Sequence, residues 1–234
     1  MNTLFHDITR LLERTYASSG VALEDCIIQE ERCAHLTRLA GAQARELSHL
    51  ARTFLRHSGD NLFIGIYYSR WLIDHLEAHD PRRSLSDENI GGLIAFVEEI
   101  DHALHAALAF RRGVRDVASE PFIRNLELQS RVDTYMVLLL FVGFFRQTQR
   151  VSFTDRRWLR FHLFQREAND YTDHELRSRY METGALGKKY TRLLDTLNAA
   201  RRVEEIRVFH ALDYAGKKER ILQLAAPRRE AGSN

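Results

Sequence analysis

The residues best equipped for chemistry lie between positions 98 and 105. Glu98, Asp101, His102 and His105 fall at i, i+3, i+4 and i+7, with Glu99 beside them. On a helix that spacing lines up two carboxylates and two imidazoles along one face. Carboxylate oxygen and imidazole nitrogen together are ligands for a divalent metal. Glu98, Glu99, His102 and His105 are therefore the candidate metal set, opening the reading of a metal-dependent helical enzyme. The opposing reading is a solvated polar flank, with Val97, Ile100, Leu104 and Leu108 as the adjoining buried face. It needs no cofactor.

Two ExxH motifs occur, Glu46-Leu47-Ser48-His49 and Glu99-Ile100-Asp101-His102. In ferritin-like bundles two such motifs and two further glutamates hold a metal pair. The intervening carboxylate here, Glu77, sits close to the connection at Asp80–Ser86, whereas Glu99 lies well inside the next helix. At about 1.5 Å rise per residue the two are offset by roughly 12 Å along antiparallel helices. His49 also falls among Arg38, Arg45, Arg52 and Arg56, a cation stripe at helical spacing. Such a stripe disfavours a metal and suits a partner-facing surface. It supports another reading, a protein-interaction scaffold.

The chain divides in charge. Residues 1–112 hold 12 Lys/Arg and 16 Asp/Glu, whereas residues 113–234 hold 22 and 16. An acidic front and a basic back suggest two functional halves, the second with a polyanionic partner. The cations gather at Lys188, Lys189 and Arg192, and at Lys217, Lys218 and Arg220. No nucleophile elbow, phosphate-binding glycine loop or dinucleotide fingerprint is present, which favours regulation or binding over catalysis.

Helices must position most of these groups. With 44% hydrophobic and 28% charged residues and only three prolines, the chain has the composition of a mainly α folded protein. Helices are expected at 3–17, over 21–57 as one long helix or two joined near Gly41, at 62–78, from 86 to about 112 with Gly113 as the stop, and over 120–150. These make residues 1–150 a helical bundle for dimerisation, sensing or partner binding. The apolar run Tyr135–Phe145 is shorter than the roughly 20 residues of a membrane span and reads as a buried helix. Met1–Tyr16 carries charge and does not read as a signal peptide. Cys26 and Cys33 are too far apart along one helix for a disulfide. A reduced, cytoplasmic setting is expected.

Residues 153–226 show a distinct order: a helix from Thr154 to about Arg166, a second opened by the capping box Thr172-Asp173-His174-Glu175 and stopped near Gly184, and a third over 187–201. The β-prone runs Ile206–Phe209 and Ile221–Leu224 flank Gly216 as in a hairpin. Three helices and a hairpin resemble the winged helix-turn-helix domain over about a third of the chain. The resemblance implies a third helix that enters the DNA major groove with Lys188, Lys189, Thr191 and Arg192, and a wing that touches phosphate with Lys217, Lys218 and Arg220. Asp195 departs from the pattern, since it would repel phosphate on the reading face. Residues 227–234 read as a frayed tail. The leading expectation is a helical regulatory or adaptor protein that binds nucleic acid through its second half.

Overall fold

The computed structural model describes residues 2–147, 151–164 and 171–225. Among these, ten α-helices accompany one two-stranded sheet. The helices are α1 (Asn2–Thr15), α2 (Glu30–Leu39), α3 (Ala42–Glu46), α4 (Arg70–Ala78), α5 (Ile90–Arg111), α6 (Glu120–Phe145), α7 (Phe153–Phe164), α8 (His174–Leu194), α9 (Ala199–His210) and α10 (Tyr214–Ala225). The strands are β1 (Ala51–Ser58) and β2 (Asn61–Tyr68).

Two long central helices organise the rest. α5 buries residues on nearly every side, from Ile90 through Leu104 to Ala109, and α6 buries Leu128, Val132, Tyr135 and Leu138 along its middle. A helix apolar all round must be surrounded, and these two are. α1 lays Leu4, Phe5, Ile8 and Leu12 against them, joined by Leu72 and Leu76 of α4 and Leu159 and Leu163 of α7. A second apolar cluster joins Leu128 and Val132 of α6 to Tyr190 and Leu194 of α8, Ile206 and Phe209 of α9, and Ile221 of α10. The last helices thus pack on α6 itself. By length and composition α6 could also cross a membrane, although 67% of its apolar window is buried within the fold.

Local signals account for the ends of these helices. The Ser69 hydroxyl caps α4 by accepting from Leu72 N, Asp173 caps α8, and Asn198 accepts from Arg201 N at the start of α9. Pro121 opens α6, and Gly113, at φ +93°, follows the end of α5 as expected.

Four expectations are corrected. The stretch 21–57 is not a long helix. It breaks into a single 3₁₀ turn (Leu23–Cys26), α2, α3 and β1; a junction at Gly41, the other arrangement expected, does separate α2 from α3. The helix expected at 62–78 begins as β2, and Ser58-Gly59-Asp60-Asn61 is the turn of an antiparallel hairpin with Ser58 opposite Asn61. Gly59 takes φ +58°, which suits the first central position of a two-residue hairpin turn. The hairpin docks on α5 through Thr53 Oγ1, which donates to Glu99 O at 3.1 Å, and Tyr68 OH, which donates to Phe96 O at 3.0 Å.

The hairpin expected at residues 206–224 is instead α9 and α10, so the wing of the resemblance is helical. Ile206 and Phe209 are buried three apart, while Val208 between them is 49% exposed. That is helical periodicity. The second and third helices expected there are one, α8. It runs through Gly184, and Gly187 supplies close packing, since a Cβ there would stand 3.1 Å from the Phe164 ring. The tail at 227–234 lies outside the described residues.

Candidate functional site

Two features stand out, a basic cleft on the surface and a polar centre in the core. The cleft forms where α7 meets α8. Phe153, Arg157 and Phe161 follow one another at i, i+4 and i+8, with Arg156 and Arg160 alongside, and α8 contributes Lys188, Arg192 and its C-cap Asp195. These eight residues line a cavity of about 870 Å³. That size is ample for a small ligand or a segment of a polymer.

Five cations here face one carboxylate, and that carboxylate is already engaged. Asp195 accepts from Arg156 Nη1, from Arg160 Nη1 and, at 2.8 Å, from Tyr135 OH. Arg160 also donates to Tyr135 OH at 2.8 Å. The repulsion of phosphate expected from Asp195 is thereby offset. Burial and the Asp195 charge hold the Tyr135 phenol well above its ordinary range, so it stays a donor. Among the described residues, Arg157, Lys188 and Arg192 have no carboxylate partner. Beside them the rings of Phe153 and Phe161 are 74% and 56% exposed. Uncommitted cations next to bare aromatic faces can take phosphate and a stacked ring together.

Of the residues expected at a nucleic-acid surface, only Lys188 and Arg192 line this cleft. Lys189 is exposed outside it, and Thr191 is fully buried, its hydroxyl donating to Lys188 O at 3.2 Å. The expected wing cations are not available as a group. Lys217 is 1% exposed, Lys218 pairs with Glu182 at 2.6 Å, and Arg220 grips both carboxylate oxygens of Glu205 at 2.9 and 2.6 Å. Arg156, Arg157 and Arg160 went unnoticed in the sequence. Their signal was the arginine spacing alternating with Phe153 and Phe161.

The arginine stripe is likewise dissolved. Arg38 lies on α2, Arg45 on α3, and Arg52 and Arg56 on β1. Arg52 is 5% exposed, and its guanidinium donates to Thr37 Oγ1 (2.7 Å), Leu47 O (2.9 Å) and Ser48 O (3.2 Å). It ties β1 to the preceding turns and, being buried, is not presented to a partner.

The expected metal set splits in two. His102 stands between Glu99 (3.4 Å) and Glu127 of α6 (3.8 Å). Burial disfavours its charged form, but Glu127, Glu99 and Glu98 outweigh burial and push it up to about 10. His105 instead joins Asp101 and Asp133, all three at most 3% exposed. His105 Nε2 lies 2.8 Å from Asp133 Oδ2 and 3.0 Å from Asp101 Oδ1. The polar face of α5 is therefore packed against α6 and is not the solvated flank of the alternative reading.

Around this centre the polar groups are dense. Asp133 accepts from Tyr16 OH and, at 3.0 Å, from Gln129 Nε2. The His105 ring lies against those of Tyr16 (4.9 Å) and His210 (4.6 Å), the last residue of α9. Arg112 donates to His210 Nε2 at 3.0 Å, which requires a neutral imidazole there. Burial, with His105 and Arg112 nearby, pushes His210 down to about 2. Burial also pushes Lys217 of α10 down to about 7, against the pull of Asp133 and Asp101. It raises the Asp101 carboxyl too, whereas bonds from His105, Tyr16 and Gln129 outweigh burial at Asp133 and hold that carboxyl low. Asp133 was missed in the sequence because its link to His105 spans 28 residues.

No protein-family model, curated protein or solved structure matches the chain. The sites rest on their own chemistry.

Proposed function

We propose that this chain is a helical regulatory or adaptor protein that binds single-stranded nucleic acid in the cleft between α7 and α8. One observation carries the reading: Arg157, Lys188 and Arg192, none with a carboxylate partner among the described residues, converge beside the exposed rings of Phe153 and Phe161. Cations of this kind neutralise phosphates and release their counterions, and aromatic faces stack on bases without regard to sequence. A phenylalanine ring gains this only from an unpaired base, which favours a single strand over a duplex. Insertion of a third helix into a major groove has less support, because Thr191 is buried and Lys188 and Arg192 face into a concave surface. Lys218 and Arg220, paired with Glu182 and Glu205, stay out of this reading.

Titration of a fluorescein-labelled oligo(dT) of about 15 nucleotides, followed by anisotropy, tests the reading. Binding at low salt that weakens as salt rises is the expected result. Absence of binding at low salt, or equal affinity at low and high salt, removes it.

A further inference from the structure

The core of the molecule holds an arrangement that the cleft does not use. We propose that Asp101, His105 and Asp133 form a closed structural site for one divalent transition ion with octahedral preference, Mn²⁺ or Fe²⁺, which pins α5 to α6.

The first argument is unmet hydrogen bonding. The one hydrogen on His105 Nε2 is directed to Asp133 Oδ2 at 2.8 Å. Asp101 Oδ1 lies at 3.0 Å from the same nitrogen but receives no hydrogen bond, and Oδ2 receives none either. Asp101 is 0% exposed, and with Oδ1 held only by the ion pair to His105, its Oδ2 is removed from water with no donor to replace it. Leaving a buried polar group unmet is costly, and more so for a charge. Gln129, 1% exposed, repeats the pattern: its amide nitrogen reaches Asp133, and its Oε1 is unpartnered.

The second argument is geometry. The three donor atoms all lie within 4.8 Å of one another. Bonds of about 2.1 Å at right angles place neighbouring ligand atoms about 3.0 Å apart, whereas a tetrahedron of the same bond length spreads them to about 3.4 Å. The separations from His105 Nε2 to the two carboxylate oxygens, 3.0 and 2.8 Å, match the octahedral edge more closely than the tetrahedral one. One imidazole nitrogen and two carboxylate oxygens suit Mn²⁺ or Fe²⁺, and two carboxylates balance the ion's charge. Tyr16 OH, on Asp133 Oδ1, would orient that ligand from behind. With every ligand at most 3% exposed, the ion would brace the fold and would not meet a substrate.

The test uses the full chain stripped with chelator and titrated with Mn²⁺. Calorimetry should give one ion per chain, with a rise in Tm on loading, and the electron spin echo should carry modulation from one coordinated nitrogen. Asp101→Asn should weaken Mn²⁺ at least tenfold; it keeps the size of the side chain and gives up only the ion pair with His105, and circular dichroism will verify that the variant folds. His105→Gln should abolish the nitrogen modulation. His102→Gln, in the neighbouring Glu99–Glu127 group, should leave binding intact. Lack of uptake by the wild-type chain overturns the proposal, as does unchanged binding by folded Asp101→Asn or loss of binding in His102→Gln alone.

Discussion

Replacing Arg192 with glutamine should change the salt dependence of oligonucleotide binding by a calculable amount. Arg156 and Arg160 are committed to Asp195, leaving Arg157, Lys188 and Arg192 to meet phosphates. For single strands each neutralised phosphate contributes a slope of about −0.7 to log K against log salt, so three give about −2.1. Raising salt fourfold, from roughly 50 to 200 mM, then costs the wild type about 18-fold in affinity. Arg192→Gln leaves two cations, a slope of about −1.4 and a loss of about 7-fold over the same range. Arg192 is exposed, so the fold should tolerate the change. Phe161→Ala acts through a different term. Stacking worth about 1–3 kcal/mol per base predicts binding weaker by about 5- to 150-fold at both salt concentrations, with the slope unaltered. Anisotropy titrations of the three proteins across a salt series measure both effects. A variant slope indistinguishable from the wild type, or a Phe161→Ala slope that shifts while Arg192→Gln does not, would refute the division of labour drawn from the cleft.

Two glycines of α8 should respond oppositely. A Cβ added at Gly184 would meet nothing within 4 Å, so Gly184→Ala should raise stability by about 0.5–1 kcal/mol in urea melts, from helix propensity alone. Gly187→Leu should lose about 1–3 kcal/mol or more, because Phe164 and Arg131 stand 3.1 and 3.4 Å from the position of its Cβ. Gly59→Ala should cost about 1–2 kcal/mol by placing a Cβ at φ +58°, with hydrogen exchange in β1 and β2 speeding up first. Glu182, of α8, bonds Arg124 of α6 and Lys218 of α10; burial raises its pKa, but Lys218 and Arg124 outweigh burial and hold it below 4.5. Its stabilising contribution is therefore full above 4.5 and lost as pH falls through the lower folded value. Glu182→Gln should cost about 1 kcal/mol at neutral pH, and the gap from the wild type should close in acid. A gap that persists at low pH would show that the charge is not its source.

Much of the helical scaffold could be read before any coordinates. α1, α5, α6 and α7 lie close to the residues expected, since their apolar stripes are long and Gly113 and Pro121 punctuate them. The misreadings share a cause. Leu39 and Leu50 supported a helical stripe over 21–57, yet they are 70% and 36% exposed, and the residue that β1 buries most deeply at its start, after Ala51, is Arg52. A buried arginine held by the Thr37 hydroxyl and two backbone carbonyls hides the alternation that would have announced a strand. The Gly59-Asp60 pair between Leu55 and Phe63 was the available hairpin signal. Near the C-terminus, Ile206–Phe209 looked β-prone residue by residue, while tertiary packing selected positions 206 and 209 and left 208 in solvent.

The sequence alone determined that the chain is mainly helical, that α5 carries acids and histidines in register, and that the second half is basic. Those properties are local: they follow from spacing along one helix and from composition. Which cations remain free, and which acids meet, was decided only in three dimensions. Asp195 draws Arg156 and Arg160 together from 39 and 35 residues away, Glu205 and Glu182 neutralise the expected wing, and Asp133 reaches His105 from the facing helix. Charge pairing depends on distance through space, and a sequence lists only distance along the chain.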